Sequence, residues 1–458
     1  MRRSMLASAT AALACAASLE APAAAQSATA FAERVCNVRS YGAEGNRIFP
    51  DTAAFQKAID DCAAKGGGTV EVPRGEYLIG PIFLKSNIRL NLAPYSEIAF
   101  ASDPRLYAAG EGQRAHSGGS KWIALVNIAD ATNVAITGDG LIDGQGAGWW
   151  ERWRADSRRS KSNGGTNRPR MVQAFRSSNL LFEGVTLKDA PSFNLVVDGC
   201  EKVTVRRMKI VAPAHSPNTD AIDPIDTRDM LIEDNYLSTG DDIVAIKAHR
   251  ANPRHPEASV ENIVIRNNRG GAGRGISIGS GTSGGVRNIL IENNEIRGAM
   301  YGIRIKTPRD KGGLVQDVVF RNNRLLDVEV AMVFSAYYEG FGFDFPGVAA
   351  RLQREGGFTL GMQIYPPETE AARPYLARAT PWIRNILVDG LDATAERAGI
   401  IIGLPERPIE GLVFRNARIA ARQGVIVRHA QVDAAGLSVA ASEGPALVRE
   451  RGAVVVGR

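Results

Sequence analysis

Aromatic residues are scarce in this 458-residue chain, at 7%, while glycine is abundant at 48. That balance argues against long packed helices and for many short strands joined by turns. After the first 25 residues no apolar run approaches the roughly 18–20 residues needed to cross a bilayer as a helix, so no membrane insertion is expected. The 4 cysteines and 5 histidines show none of the spacings of a zinc site, and no metal or other cofactor is expected. The basic excess is modest, +6 with a pI near 9.2, and is scattered between strand-like runs. No continuous nucleic-acid stripe results, and the charge favours an anionic partner of another kind.

The N-terminus reads as an export signal over residues 1–25. Arg2 and Arg3 precede an apolar stretch from Leu6 to Ala17, and Ala23-Ala24-Ala25 offers a small-residue cleavage site. Secretion or periplasmic release is expected. Cys15 opens a lipoprotein alternative, although Ala12 stands where a larger aliphatic residue is usual. Cys36, Cys62 and Cys200 would remain, and export permits a disulfide, Cys36 and Cys62 being nearer in sequence. Cys200, just after Val196-Val197-Asp198-Gly199, reads as a buried strand-end thiol.

Residues 26–458 read as one domain of stacked repeats, whose core lengthens by adding units. The repeat is explicit. Asn262-Ile-Val-Ile-Arg-Asn267-Asn268 returns as Asn288-Ile-Leu-Ile-Glu-Asn293-Asn294 and as Asp317-Val-Val-Phe-Arg-Asn322-Asn323, with an earlier copy from Asp229 to Asn235. Weaker copies begin at Asn133, Asn179, Lys202, Asn385 and Gly411. Each unit is too short for a crossover helix, so parallel strands must pair between successive turns of one winding chain, a single-stranded parallel β-helix. Asn267, Asn293 and Asn322 are expected to stack as a structural ladder. A cap spans about residues 37–75, with a helix opened by Asp51 or Thr52, burying Phe55, Ile59 and Cys62 and ended by Gly66-Gly67-Gly68. The repeat breaks between Asp317 and Asn385, predicting one coil plus an insertion over about 338–380. A second excursion, Trp149 to Arg170, carries tryptophans and arginines and has the look of a binding-face loop.

Four polar clusters sit at about one-coil spacing: Asn218-Thr219-Asp220, Gly240-Asp241-Asp242, Gly273-Arg274-Gly275 and Arg304-Ile305-Lys306. Strands of one sheet stack about 4.8 Å apart, so Asp220 and Asp241 would lie on adjacent rungs. Arg304 and Lys306, two apart, would face the same way. Three crowded carboxylates repel one another and one should retain a proton, which separates an acid from a base. Turn caps or a calcium site are the alternative readings of these aspartates.

As a set these clusters, with Ile142-Asp143-Gly144-Gln145-Gly146, Trp149-Trp150 and Ser277-Ile278-Gly279-Ser280, resemble glycoside hydrolase family 28, the polygalacturonases and their relatives, over about residues 37–425. The resemblance implies a right-handed parallel β-helix that hydrolyses α-linked galacturonate in pectin with inversion. It implies Asp241 as general acid, Asp220 and Asp242 as the pair activating water, Arg304 and Lys306 on the sugar carboxylate, and Asn218 as a positioning residue. Tyr338, or its neighbour Tyr337, fits a contributing tyrosine. The family usually has Gly-His-Gly where this chain has Gly273-Arg274-Gly275; arginine is a permanent donor that cannot switch charge as histidine does. Arg274 therefore implies a second contact to a substrate carboxylate, a lower working pH, or a β-helix that binds polysaccharide without cleaving it. Another acidic glycan such as rhamnogalacturonan, or calcium-dependent lyase chemistry, stays open. A capped solenoid is expected to be monomeric.

Overall fold

The computed structural model describes residues 31–116, 120–160, 168–253, 256–338, 345–360 and 363–457; the proposed signal segment lies outside them. Two compact units divide the described chain, one reaching to Ala245 and the other beginning at Ile246.

In the first unit, parallel strands Val35–Asn37, Gly68–Val72, Ile88–Leu92, Thr132–Gly138, Ser178–Glu183, Glu201–Arg206 and Arg228–Glu233 pair in that order. A second row of parallel strands runs Val126–Ala129, Val172–Phe175, Leu195–Asp198, Ile222–Ile225. In the second unit the first row is Val260–Arg266, Val286–Glu292, Leu314–Arg321, Trp382–Asp389, Ile409–Arg415. Beside it, Ile276–Thr282, Tyr301–Lys306 and Arg324–Ser335 pair in parallel. Each unit is thus a parallel β-helical stack, as the repeat requires.

Register converts the repeat into a core. Ile263, Ile289, Val318, Ile386 and Leu412 stand in line across the rungs, as do Ile265, Ile291, Phe320, Val388 and Phe414. None of these ten is more than 1% exposed. Each such burial is worth roughly 1.5–3 kcal/mol, and the rows make that gain continuous along the stack.

The repeat starts are explained by backbone geometry. Asn133, Asn179, Lys202, Asp229, Asn262, Asn288, Asp317, Asn385 and Gly411 all have φ between +54° and +64°. Asn and Asp tolerate this left-handed corner better than other residues with a Cβ. Their amides also link rungs: Asn288 Nδ2 donates to Asn262 Oδ1 at 2.6 Å and Asn385 Nδ2 to Asp317 Oδ1 at 3.2 Å.

The buried ladder differs from the expected one by a single residue. Asn267, Asn293 and Asn322 take the left-handed corner, with φ of 56°, 54° and 51°, and it is the following residue that turns inward. Asn268 Nδ2 donates to Asn294 Oδ1 at 2.9 Å, and Asn294 Nδ2 to Asn323 Oδ1 at 3.0 Å.

Helix Thr52–Ala64 buries Phe55, Ile59 and Cys62 as its spacing predicts. Asp51 precedes it without a side-chain bond to the helix; its carboxylate accepts from Glu44 N and Gly45 N instead. Thr52 Oγ1 accepts from Gly80 N at 2.6 Å. Both residues therefore tie the cap helix to neighbouring loops. The permitted Cys36–Cys62 disulfide is not formed: all three described cysteines are free and buried. Burial, then a hydrogen bond with Cys36, pushes the Cys62 thiol up to about 12.

The interruption after Asp317 contains helix Phe345–Arg354 and an antiparallel pair, Phe358–Leu360 with Gln363–Tyr365. The excursion from Trp149 opens with a helix, Ala147–Ser160, where the sequence suggested only a loop.

Candidate active site

The acidic cluster is built at two successive corners of the first unit. Ala221 N donates to Asp242 O at 2.9 Å, so the segments holding Asp220 and Asp242 are neighbouring rungs. Asn218 takes φ +52°, turning the chain sharply, whereas Ala221 is not among the residues with positive φ and so needs no glycine. Thr219 is fully buried; its hydroxyl shares a 2.6 Å hydrogen bond with Ser216 Oγ and accepts from Gly240 N at 3.0 Å. Only glycine fits at 240, because a Cβ there would lie 2.0 Å from Ser216 O. The two corners are thereby locked together.

This packing lets consecutive residues Asp241 and Asp242, which a regular strand would send to opposite faces, serve one cluster. They precede strand Val244–Ala248 and are not part of it. Asp220, Asp241 and Asp242 are 4%, 7% and 2% exposed, and each has a carboxylate oxygen within 4.8 Å of the others. Asp241 Oδ1 accepts from the Asp242 backbone N at 3.0 Å, and Asn218 Nδ2 stands 3.5 Å from Asp241 Oδ2.

Behind the cluster is a residue that sequence reasoning did not single out. Arg168 is 3% exposed. Its Nη1 donates to Pro191 O at 3.0 Å and Pro217 O at 2.8 Å, and its Nη2 to Asn218 Oδ1 at 2.9 Å. Its guanidinium also faces the Trp153 ring at 5.1 Å. Burial pushes its pKa down to about 10, partly opposed by attraction to Asp220 and Asp241. The only signal in the sequence was its place among the arginines after Trp149, 50 residues from Asn218.

The remaining predicted residues lie in the second unit. Strand Tyr301–Lys306 carries Arg304 and Lys306, in register with Val333 and Ser335, and the two are 2% and 3% exposed. Arg304 Nε donates to Ser277 Oγ at 3.0 Å, and the guanidinium lies 4.3 Å from the Tyr301 ring centre. Lys306 Nζ lies 5.1 Å from the centre of the Tyr338 ring. Tyr337 belongs to another network: the Arg309 guanidinium approaches its ring at 5.7 Å, and burial with nearby Glu370 raises its hydroxyl pKa. Arg274 is half-buried in the turn before Ile276–Thr282.

Buried, clustered carboxylates on a parallel β-helix are the equipment of an enzyme that cleaves glycosidic bonds by acid–base chemistry. The chain belongs to glycosyl hydrolases family 28, whose model matches residues 62–342. It is 31% identical to a protein of Arabidopsis thaliana named "Probable polygalacturonase" over 67% of this chain and 66% of that one, just under two thirds of the plant protein's length. It is 30% identical to an endo-polygalacturonase of Pectobacterium carotovorum subsp. carotovorum, over 63% of this chain and 72% of that one. The crystal structure of a hyperthermoactive exopolygalacturonase from Thermotoga maritima superimposes with a TM-score of 0.71 at 26% identity, covering 92% of this chain and 94% of that one.

Proposed function

We propose that this protein hydrolyses α-linked galacturonate bonds in a pectic polysaccharide. Asp241 is the general acid for the glycosidic oxygen, and Asp220 and Asp242 activate the attacking water. Arg304 and Lys306 take the carboxylate of the bound sugar, with Tyr338 beside Lys306, Asn218 positioning Asp241, and Arg274 holding a further carboxylate. The observation that carries this reading is the cluster of three buried carboxylates, with oxygens within 4.8 Å of one another. Crowding of like charges is the arrangement by which a carboxyl keeps the proton that an acid catalyst needs. Arg168 is attracted electrostatically to Asp220 and Asp241.

Inversion is part of the proposal, and product stereochemistry is its sharpest test. Inverting glycosidases usually hold their carboxyl groups roughly 6.5–9.5 Å apart, with water between acid and base. The nearest oxygens here are closer than that, within 4.8 Å. Inversion requires Asp220 and Asp242 to activate a water on the face of the sugar opposite the oxygen that Asp241 protonates. NMR of the first product should show the β-anomer released from the α-linkage; an α-anomer would overturn inversion.

Purified protein given polygalacturonate, xylogalacturonan and rhamnogalacturonan should release reducing ends from the first, unaffected by chelator and without an ultraviolet-absorbing unsaturated sugar. The same carboxylates could hold a hard cation. Chelator-sensitive release of an unsaturated sugar would therefore replace the hydrolase with a lyase. Export through residues 1–25 and a monomeric state belong to the same proposal.

A further inference from the structure

Beside the acidic cluster, the first unit contains a cavity of about 430 Å³, within the roughly 300–1,000 Å³ typical of small-ligand sites. Its walls combine three tryptophans, Trp122, Trp149 and Trp153, with three cations, Lys121, Arg152 and Arg168. We propose that this cavity is a subsite for a uronate ring of the glycan, distinct from the groups that act on the cleaved bond; the inference rests on the reading that the chain cleaves an acidic polysaccharide.

The aromatic wall is preorganised. Trp149 is 3% exposed and meets Trp122 edge to face, with ring centres 5.5 Å apart at 87°. Tyr107 braces Trp149 from another side at 5.9 Å. Trp122 is thereby fixed while remaining partly exposed, as a platform for the C–H face of a sugar must be. Trp150, the neighbour of Trp149, is committed elsewhere, its Nε1 donating to Ala190 O at 3.1 Å.

The charge on the wall selects the ligand. Arg152 is held by backbone carbonyls alone, Nε on Gly148 O and Nη2 on Ser102 O, both at 3.2 Å, with its guanidinium 5.0 Å from the Trp149 ring centre. Asp156 is the one carboxylate lining the cavity against three cations, and Arg152 also attracts Asp103. A ring with one apolar face and one carboxylate edge satisfies both walls; a neutral sugar satisfies only the tryptophans.

Arg168 joins the subsite to the chemistry. Arg168 lines the cavity, and its Nη2 holds Asn218, whose amide stands 3.5 Å from Asp241. A ring seated on the tryptophans therefore extends the glycan beyond the sugar at the acids, and longer substrates gain affinity from it.

Tryptophan emission tests this without turnover, because four of the five tryptophans, Trp122, Trp149, Trp150 and Trp153, lie in this region. In Asp241→Asn protein with Trp382→Phe removing the one indole outside this unit, trigalacturonate should quench emission and the neutral galactose trimer should not. Trp122→Ala should weaken trigalacturonate binding by about tenfold, roughly one stacking contact, and Trp122→Phe should restore most of it. Lys121→Gln, an exposed change that leaves the core intact, should reduce the preference for free uronate over its methyl ester. Equal affinity across these variants, or equal quenching by the neutral trimer, overturns the subsite. Selective quenching in a wild-type protein that hydrolyses no pectic substrate would instead overturn the hydrolase reading and leave the subsite standing.

Discussion

Two kinds of buried polar corner occur in this protein, and they obey opposite rules. At the asparagine corner, Asn268, Asn294 and Asn323 are 3%, 2% and 2% exposed, and the amides of the first two each donate to the next asparagine, while that of Asn323 donates to Ile291 O. The arrangement repeats and carries no charge. At the aspartate corner, Asp220, Asp241 and Asp242 are as deeply buried but gather like charges within 4.8 Å. Among the described residues no other cluster brings three buried aspartates together. A solenoid gains stability from what it repeats, so a crowded departure from the repeat signals a function that stability alone does not explain.

The largest effect should come from Asp241→Asn. Amide replaces acid with almost no change of shape, so thermal stability should hold while kcat on polygalacturonate falls about a thousandfold, within the usual share of general acid catalysis. Near-full activity in that variant would dissolve the contrast between the corners. Asn294→Ala should do the reverse. It removes the acceptor that Asn268 N and Nδ2 share and the donor to Ile265 O, bonds of 2.9–3.0 Å. Denaturant titration should show a loss of about 2–4 kcal/mol, with the activity of the folded fraction unchanged.

Arg168 sharpens the comparison because it meets the charged corner through Asn218. Arg168→Met removes a cation attracted to Asp220 and Asp241. The acid limb of the kcat/KM profile should move upward. Arg168→Lys keeps the charge but cannot reproduce the fork that reaches Pro191, Pro217 and Asn218. It should lower kcat by about tenfold with the limb nearly in place. Equal shifts in both variants would reduce Arg168 to a packing residue. Arg274→His should have a smaller effect, a few-fold rise in KM for polygalacturonate, if Arg274 grips substrate; a rise in kcat with a higher pH optimum would mean that it had been acting on Asp241.

These contrasts mark what the amino-acid order could reveal. The phase of the coils was legible at Asn262, Asn288 and Asp317 because the left-handed corner demands such residues in series. Which asparagine of each pair turns inward was not, since that depends on the φ of the residue before it. The aspartates stood out by spacing, but the locking of their corners depends on Gly240 meeting Ser216 O, a contact between turns. Arg168 was hidden for the same reason: its partners are Pro191, Pro217 and Asn218, all remote in sequence. Local pattern sets the winding, and contacts between turns set the chemistry.

The smallest effect concerns a corner that is polar, titratable and outside the acidic cluster. His429 is buried at φ +45°, against Gly452, where a Cβ would lie 2.2 Å from Nδ1. Burial, then the nearby charges of Arg428 and Arg451, lowers its pKa from the ordinary value, with Glu406 opposing and Arg309 adding to the shift. The unfolded chain takes up this proton near the usual pKa of about 6.5 and the folded chain only at lower pH. The stability tied to neutral His429 is therefore complete above about pH 6.5 and is lost as pH falls toward the depressed folded value. His429→Gln should flatten that acid-side decline in a denaturation series and leave the neutral plateau little altered. The asparagine ladder, having no proton to exchange, should contribute equally across the same range, so a persisting decline in His429→Gln would assign it to the carboxylates.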